Sequence, residues 1–508
     1  MPSEIELKLA ADPTTLASLP RHPAVLALAR GRPRRARVLS RYYDTASHHL
    51  HDAGVALRLR RDGQRWLQTV KGPGTAVAGV HQRAEFEWRL SRPRLDLAKL
   101  ATTPWQATFA KAAGRLELLF TTDVLRTSLS LAFSDGTRAI LCLDHGLIIA
   151  KGKRAPICEI EVEFVDGDVR RLNELGLKLA ADLPLTVAHA SKAERGYALS
   201  GAFPLRPVRA KRVPLPHDAS AAAAVVAVGA DCLRQIGANA EAVATGEDFE
   251  FVHQLRVGVR RLRSLLKLAA PIGPPERIEP LAEELSWLGT TTGAARDWDV
   301  FVAQTLSSIT PHLETSEQRR ALGRLKARAT RLRFIQRAAI RQAAGSPRLT
   351  RLLLTLGALF AAIADSPAGE GAASARSLAE RELDRSSRRL AKRARGLRHA
   401  PPAQRHRARI AAKKLRYAAE FFAPLYAKSR AEDYIYALAK LQEALGTLND
   451  LATAGRLLGE VVPQHAPGRD ISEAVGVVRG WIAASTVSQL ALAAKARRAF
   501  AKLKPFWN

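Results

Sequence analysis

Charged and apolar residues alternate with a period of two at the start of this chain. Glu4, Glu6 and Lys8 fall on one side, Ile5, Leu7 and Leu9 on the other. On a strand, such residues point to opposite faces. The same grammar recurs in Arg58-x-Arg60 between Leu57 and Leu59, and in Thr69-x-Lys71 after Trp66-Leu67. It returns in Arg83-x-Glu85-x-Glu87 with Phe86 and Trp88, and in Glu159-x-Glu161-x-Glu163 with Ile160, Val162 and Phe164. Alternation ordinarily means core on one side and water on the other. Five polar faces carrying both signs of charge are better explained by a closed barrel with a charged lumen. A carboxylate pair beside an ammonium suits a divalent cation together with an anion, and a metal-bound phosphate is both.

The first 200 residues predict strands, punctuated at Gly72-Pro-Gly74 and Ser134-Asp-Gly136, with helices over Asp96–Gly114 and Asp168–Ala181. Residues 201–217 hold four prolines among Arg206, Arg209, Lys211 and Arg212, which predicts a stiff basic linker. From Asp218 the period becomes helical and stays so to residue 508, with breaks at Pro271–Pro275, Thr310-Pro311, Ser346-Pro347, Ser366–Gly371, Pro401-Pro402 and Pro463–Gly468.

This helical half repeats itself. His253-x-x-Arg256-x-x-x-Arg260-Arg261-x-Arg263 matches His406-x-x-Arg409-x-x-x-Lys413-Lys414-x-Arg416 at an offset of 153. Gly293 and Arg296-Asp297 match Gly446 and Asn449-Asp450 at the same offset, as a duplication requires. At 100° per residue, His253, Arg256, Arg260 and Arg263 share a face about 80° wide, opposite Leu255, Leu262 and Leu266. His406, Arg409, Lys413 and Arg416 form the second column, opposite Leu415 and Phe422. Stacked like charges repel, so two such columns make most sense opposite a bound polyanion. The histidines suit either phosphate hydrogen bonding, with an imidazolium beside an anion as one form of it, or a structural place at a helix start, and Asp297 and Asp450 suit orienting the arginines or capping helices. The basic segments Arg319–Arg341 and Arg388–Arg398 are candidates to extend the path.

Composition agrees. The net charge is +31, most of it in the helical half, which favours polyanionic partners. Few aromatic residues interleave the cations, which weakens a nucleic-acid reading because single strands need stacking platforms. Cys142, Cys158 and Cys232 lack metal-ligand spacing and read as buried small hydrophobes in a reducing compartment. The N-terminus shows no signal peptide, and apolar stretches such as Ala219–Ala230 read as too short to span a bilayer. The expected location is the cytoplasm, with association to polyphosphate granules, and no membrane.

The ordered motifs of residues 1–200 resemble the CYTH family, the triphosphate tunnel metalloenzymes. They are Glu4-Ile-Glu-Leu-Lys8, Tyr43-Asp-Thr45, Leu57-Arg-Leu-Arg60, Thr69-Val-Lys71 and Arg83-Ala-Glu-Phe-Glu87. Arg126, Leu143-Asp-His-Gly146, Glu159-Ile-Glu-Val-Glu163 and Ser191-Lys-Ala-Glu-Arg-Gly-Tyr197 follow. The resemblance implies an eight-stranded antiparallel tunnel that binds a triphosphate, with Mg2+ or Mn2+ held by glutamates. On that basis Lys8, Arg58, Arg60, Lys71, Arg83, Arg126 and Lys192 are candidates to hold substrate. Glu4, Glu6 and Glu161, with Glu159 or Glu163, are the candidate metal ligands. Glu85 and Glu87 are candidates for a second metal or for orienting water. The expected catalytic set is Glu4, Glu6, Lys8, Lys71, Glu85 and Glu161.

The helical half resembles the CHAD family, the conserved-histidine α-helical domains. This implies two pseudo-symmetric four-helix bundles that bind inorganic polyphosphate on a basic surface between them. The residues carried over are His253, Arg256, Arg260, Arg261, Arg263, His406, Arg409, Lys413, Lys414, Arg416 and Tyr417; Arg405 stands where that family favours an apolar residue. The expected fold is α+β in two domains, CYTH over 1–200 and CHAD over 218–508, an order that resembles bacterial inorganic triphosphatases. The expected reaction is metal-dependent hydrolysis of inorganic triphosphate to diphosphate and phosphate. Thiamine or nucleoside triphosphatase and adenylate cyclase activities remain open, as does a polyphosphate-binding protein with a vestigial tunnel.

Overall fold

The computed structural model describes residues 3–201, 203–246, 248–365, 371–462 and 469–507. It divides into two units. The first comprises Met1–Val208 with Gly237–Ala242 and Gly345–Ala358, and the second comprises the remainder.

Eight long strands shape the first unit: β1 (Ser3–Ala10), β2 (Ala29–Asp44), β3 (Ala56–Asp62), β4 (Arg65–Val77), β5 (Val80–Leu90), β6 (Glu117–Ala132), β7 (Arg138–Ala150) and β8 (Lys153–Asp166). They pair in the order β5-β4-β3-β2-β6-β7-β8-β1, and β1 returns to β5, which closes the barrel. A two-residue strand, β9 (Thr186–Val187), adds to the end of β1. Every pairing is antiparallel. Closure resolves the inverted look of β1: Leu7 and Leu9 are buried on the outer face, while Glu6 and Lys8 are buried in the lumen. Helix α1 (Arg170–Asp182) covers that outer face with Leu172, Leu175 and Leu179, and Gly176 lets Leu7 approach.

Two local expectations need correction. Gly72-Pro-Gly74 does not separate strands. It lies inside β4, where the register slips between Lys71 and Gly74. The glycines are there for space: a Cβ on Gly72 would meet the Trp105 ring at 2.1 Å, and one on Gly74 would meet the Gln82 carbonyl at 2.5 Å. The single helix expected over Asp96–Gly114 is two short pieces, Leu97–Leu100 and Gln106–Ala112. Ser134-Asp-Gly136 is the turn expected of it, with Gly136 at φ +86°. Gly146 is a clean test of barrel packing, because a Cβ there would sit 2.1 Å from the Asp123 carbonyl oxygen. Gly146→Ala is expected to cost about 2–3 kcal/mol, read as a lowered midpoint of thermal unfolding. An unchanged midpoint would contradict the packing described.

Residues 204–216 have no regular secondary structure, and their backbone is tied down at intervals. Val208 exchanges hydrogen bonds with the Asn239 side chain at 3.1 and 2.8 Å. Lys211 N–H donates to Asp231 at 3.2 Å.

The helices that follow are α3 (Ala221–Thr245), α4 (Phe249–Ala269), α5 (Pro275–Val300), α6 (Ser316–Ala344), α7 (Pro347–Asp365), α8 (Ala375–Arg393), α9 (Pro402–Phe422), α10 (Lys428–Val461) and α11 (Arg469–Ala501); α2 is the earlier Lys192–Leu199. The repeat is geometric as well as sequential. Adding 153 to the first residues of α4, α5 and α6 gives the first residues of α9, α10 and α11. Ser220 and Ser374, which precede α3 and α8, pair in an antiparallel bridge at an offset of 154. The ends of α5 and α10, the start of α6 and the start of α11 share one apolar core, from Trp298, Phe301 and Leu325 to Leu457 and Val478. Each repeat therefore completes its core with the other. Helix α7 has no counterpart among the described residues, and Ser346-Pro347 starts it. The breaks expected at 366–370 and 463–468 lie outside the described residues.

By length and composition, α3, α7 and the stretch Ile471–Ala501 could each cross a membrane. The expectation that the apolar stretches are too short is thereby corrected. In α3 the apolar surface is taken up by packing, with Val225, Val228, Leu233 and Ile236 buried.

Candidate active site and anion cleft

Register brings the lumen charges together. Lys8 stands opposite Glu161, Glu4 opposite Arg83, Lys71 opposite Glu85, and Arg126 opposite Asp144. Opposite charges across a strand pair stabilise, and like charges destabilise. Against that pattern, Glu6 stands directly opposite Glu163.

The contacts form a continuous lattice. Lys71 Nζ donates to both Glu4 oxygens at 2.6 and 2.7 Å, and lies 3.3 Å from Glu85. Arg83 reaches Glu4 at 3.0 Å and Glu6 at 3.2 Å. Lys8 sits 3.1 Å from Glu6 and 3.3 Å from Glu161. Arg58 pairs with Glu85 at 3.6 Å and lies against the Tyr42 hydroxyl, and Arg60 pairs with Glu87 at 2.7 Å. Arg126 spans Asp144 at 2.7 Å, Glu161 at 2.6 Å and Glu163 at 3.1 Å. Lys8, Arg58, Arg60, Lys71, Arg83, Arg126 and Lys192 line one cavity with Glu4, Glu6, Glu161 and Glu163, and their side chains leave about 50 Å³ of it open. A larger cavity of about 340 Å³, lined by His51, His81 and Tyr197 among others, shares Lys71, Arg83 and Ser191 with it.

Lys192 enters from α2. Ser191 caps that helix in a reciprocal box with Glu194, which fixes the first helical residue. Lys192 Nζ thereby reaches Asp144 at 3.0 Å and Glu159 and Glu161 at 2.7 Å each. The motif residues Asp44 and Tyr197 serve this placement. Asp44 accepts from Leu50 and His51 N–H at 2.8 and 2.9 Å, and from the Tyr197 hydroxyl at 2.8 Å.

Electrostatics separates the carboxylates. Burial favours the neutral acid throughout, but Lys192, Lys8 and Arg126 overcome it at Glu161 and hold it well below the usual range. Lys71 and Arg83 do the same for Glu4. At Glu163 and Glu85 burial wins and pushes the pKa up. Oxygens of Glu6, Glu161 and Glu163 lie within 4.8 Å of one another. Three carboxylates, one pair of them in unfavourable opposition, fit a divalent cation. Glu4 and Glu159 stand outside this trio: Lys71 and Arg83 take Glu4, and Lys192 and Arg195 take Glu159.

Sequence reasoning assigned no role to Asp144, Tyr42 or Arg195. Asp144 is 1% exposed and anchors both Arg126 and Lys192. Its signal is its register opposite Arg126, which becomes visible only when β6 and β7 are aligned.

In the second unit the two columns meet. Arg256, Arg260, Arg263, His406, Arg409, Lys413, Lys414 and Tyr417 line a cleft of about 420 Å³. Gly293 leaves room for Arg256, whose Nη1 would lie 2.4 Å from a Cβ there. Arg256 donates to the Gly289 carbonyl at 3.1 Å. Asp450 lies 3.8 Å from Arg409. His406 Nδ1 is 2.7 Å from Asn449 Oδ1. The Arg260 and Arg409 Nε atoms and the Tyr417 hydroxyl are buried without a hydrogen-bond partner among the described residues.

Crowding of like charges is severe. Burial, then Arg260, Arg409 and Arg256, push Lys413 down to about 5. Burial and Arg260 bring Arg256 down to about 10. His253 is pushed down to about 4 by burial and by Arg296. In the free protein the His253 ring is therefore neutral at neutral pH, and it is not among the residues lining the cleft. Two further members of the expected set leave the cleft. Arg261 is 3% exposed, pairs with Asp231 at 2.9 Å and Gln235 at 3.0 Å, and lies over the Phe421 ring. Arg416 turns to Gln442 at 2.8 Å and Glu420 at 3.0 Å. Helical periodicity places a residue on a face but does not say which partners that face meets.

A closed barrel with this ionic lumen, followed by a duplicated helical unit with a cationic cleft, defines a CYTH domain joined to a CHAD domain. Residues 2–197 match the CYTH domain family and residues 227–459 the CHAD domain family. The chain belongs to the CHAD family through its helical half and carries a CYTH domain ahead of it. An inorganic triphosphatase of Haemophilus influenzae is 31% identical over 201 residues, which are 39% of this chain and 55% of that protein. The chain thus spans about half the length of that curated relative. The crystal structure of a CHAD domain from the plant Ricinus communis is 40% identical, covers 59% of this chain and 98% of its own, and superposes with a TM-score of 0.52. A putative adenylyl cyclase from Hippeastrum, described as having a dominant triphosphatase activity, is 20% identical over 38% of this chain and 95% of its own, with a TM-score of 0.31.

Proposed function

We propose that the tunnel hydrolyses inorganic triphosphate to diphosphate and phosphate with a divalent metal, Mg2+ or Mn2+, and that the helical half binds inorganic polyphosphate. The carrying observation is the juxtaposition of Glu6, Glu161 and Glu163 within 4.8 Å, inside a ring of lysines and arginines. The name of the Haemophilus relative supports the same substrate. Arginines present paired donors to phosphate oxygens, while Lys8, Lys71 and Lys192 act as point charges. Together they hold the triphosphate and stabilise charge on the transferring phosphoryl group. Glu6, Glu161 and Glu163 would hold the cation, which when bound neutralises phosphate charge and polarises the terminal phosphoryl group. Water attacks the terminal phosphorus, the bridging P–O bond breaks, and diphosphate leaves. Glu85 faces the lumen between Lys71 and Arg58, and its raised pKa suits it to orient that water and take its proton.

The test is phosphate release from triphosphate with and without Mg2+ or Mn2+, for wild type, Glu6→Ala and Lys8→Ala. Both variants are expected to lose at least about a hundredfold in kcat/KM. Metal-independent turnover that survives both would sink the assignment. Thiamine triphosphate and ATP belong in the same panel, because the adjoining 340 Å³ cavity offers room for an organic group. A tunnel that binds triphosphate but never turns it over would favour the alternative of a polyphosphate-binding protein with a vestigial tunnel.

A further inference from the structure

The repeat is broken at one place, and the break opens a second cationic cavity. In the first repeat, Arg261 is paired with Asp231 and donates to the Gln235 amide oxygen of α3, with Glu420 of α9 close by. At offset 153, Arg261 corresponds to Lys414 and Lys267 to Glu420. At the 154 offset set by the Ser220–Ser374 bridge, Asp231 and Gln235 correspond to Arg385 and Arg389. Each group that faces Arg261 on one side, two carboxylates and an amide, is thus a cation on the other. Lys267, Arg385, Arg389 and Lys414 line a cavity of about 220 Å³ with Glu382. Arg385 and the Ser386 hydroxyl take the Glu382 carboxylate. Burial and the charges of Lys267 and Arg389 disfavour the charged form of Lys414. The cavity shares Ser264, Lys267 and Lys414 with the central cleft.

We propose that this cavity is an additional anion subsite, through which a condensed-phosphate chain leaves the central cleft over Lys267 and Lys414 and ends against Arg389 and Arg385. The proposal rests on the polyphosphate reading of the helical half and deepens it. The cleft then extends in one direction only, because the equivalent exit is closed by the Arg261–Asp231 ion pair. Long chains gain contacts that short ones never reach, so affinity rises with chain length until the subsite is filled.

The experiment measures binding of the full chain to tetraphosphate and to polyphosphates of increasing length at several salt concentrations. Wild type is compared with Arg385→Gln/Arg389→Gln and with Arg389→Gln alone, exposed positions outside the central cleft whose loss should leave the helices folded, as circular dichroism checks. The double variant is expected to bind long chains about tenfold more weakly, with the slope of log affinity against log salt reduced by roughly two. Its tetraphosphate affinity should match wild type. Long-chain affinity and salt slope unchanged in both variants would overturn the subsite while leaving the central cleft standing. A wild-type chain that binds no polyphosphate of any length would overturn both.

Discussion

Glu161→Gln is expected to abolish metal-dependent triphosphate hydrolysis, lowering kcat/KM by about a thousandfold. No other tunnel carboxylate does as much. It receives Lys192 at 2.7 Å, Arg126 at 2.6 Å and Lys8 at 3.3 Å, and it belongs to the trio that would hold the metal. Glutamine keeps the shape but removes the charge, so three buried cations lose the one carboxylate they share and keep only their other partners, Glu6, Glu159, Glu163 and Asp144. The fold should lose about 3–5 kcal/mol for the same reason. The sign with pH follows: a carboxylate held below its ordinary range contributes stability above the unfolded pKa and loses it as pH falls through the folded one. The stability gap between wild type and variant should therefore be widest near neutral pH and close in strong acid. Glu159→Gln is the control, because Glu159 lies outside the trio and should cost about tenfold. Phosphate release with Mg2+ or Mn2+, beside thermal unfolding from acid to neutral pH, reads both effects. Retention of a tenth of wild-type activity by Glu161→Gln would contradict its central place.

Removing two cations from either column is expected to weaken polyphosphate binding about a hundredfold and lower the salt slope by roughly two. Arg256→Ala/Arg260→Ala and Arg409→Ala/Lys413→Ala should have similar effects, because the columns line one cleft. Turnover in the tunnel should stay near wild type in both. Lys413 adds a signature. Its pKa of about 5 leaves it neutral at pH 7, and a bound polyanion raises that value. The complex then holds more protons than its parts, so affinity falls as pH rises through neutrality. Calorimetry in buffers of different ionisation enthalpy should record proton uptake near pH 7, and Lys413→Gln should abolish most of it. Duplex DNA and RNA serve as competitors. If nucleic acid competes equally per phosphate and both double variants bind like wild type, the half is a nonspecific polyanion surface.

Much of this was legible in the chain. Alternation of Glu4, Glu6 and Lys8 with Ile5, Leu7 and Leu9 states the period of a strand, and five such segments of mixed sign require an enclosed polar face. The offset of 153 gave the duplication, and helix starts follow it to the residue. Periodicity along one chain determines what a residue's own backbone does. It does not determine which residue comes opposite. That Glu6 faces Glu163 while Lys8 faces Glu161 depends on the pairing of β1 with β8, and a slip by one would send every charge to the outside. Asp144 needed β7 beside β6 before it could be seen holding Arg126. The same limit explains Arg261 and Lys414. They are equivalent in the repeat, yet one is buried against Asp231 and the other is left among cations, because α3 and α8 bring opposite charges to matching positions. The sequence by itself determined the elements, the barrel class and the repeat, since these follow from local period and spacing. Tertiary structure alone decided which charges neutralise each other and which remain to meet an anion, since Coulomb energy depends on distances between residues far apart in the chain.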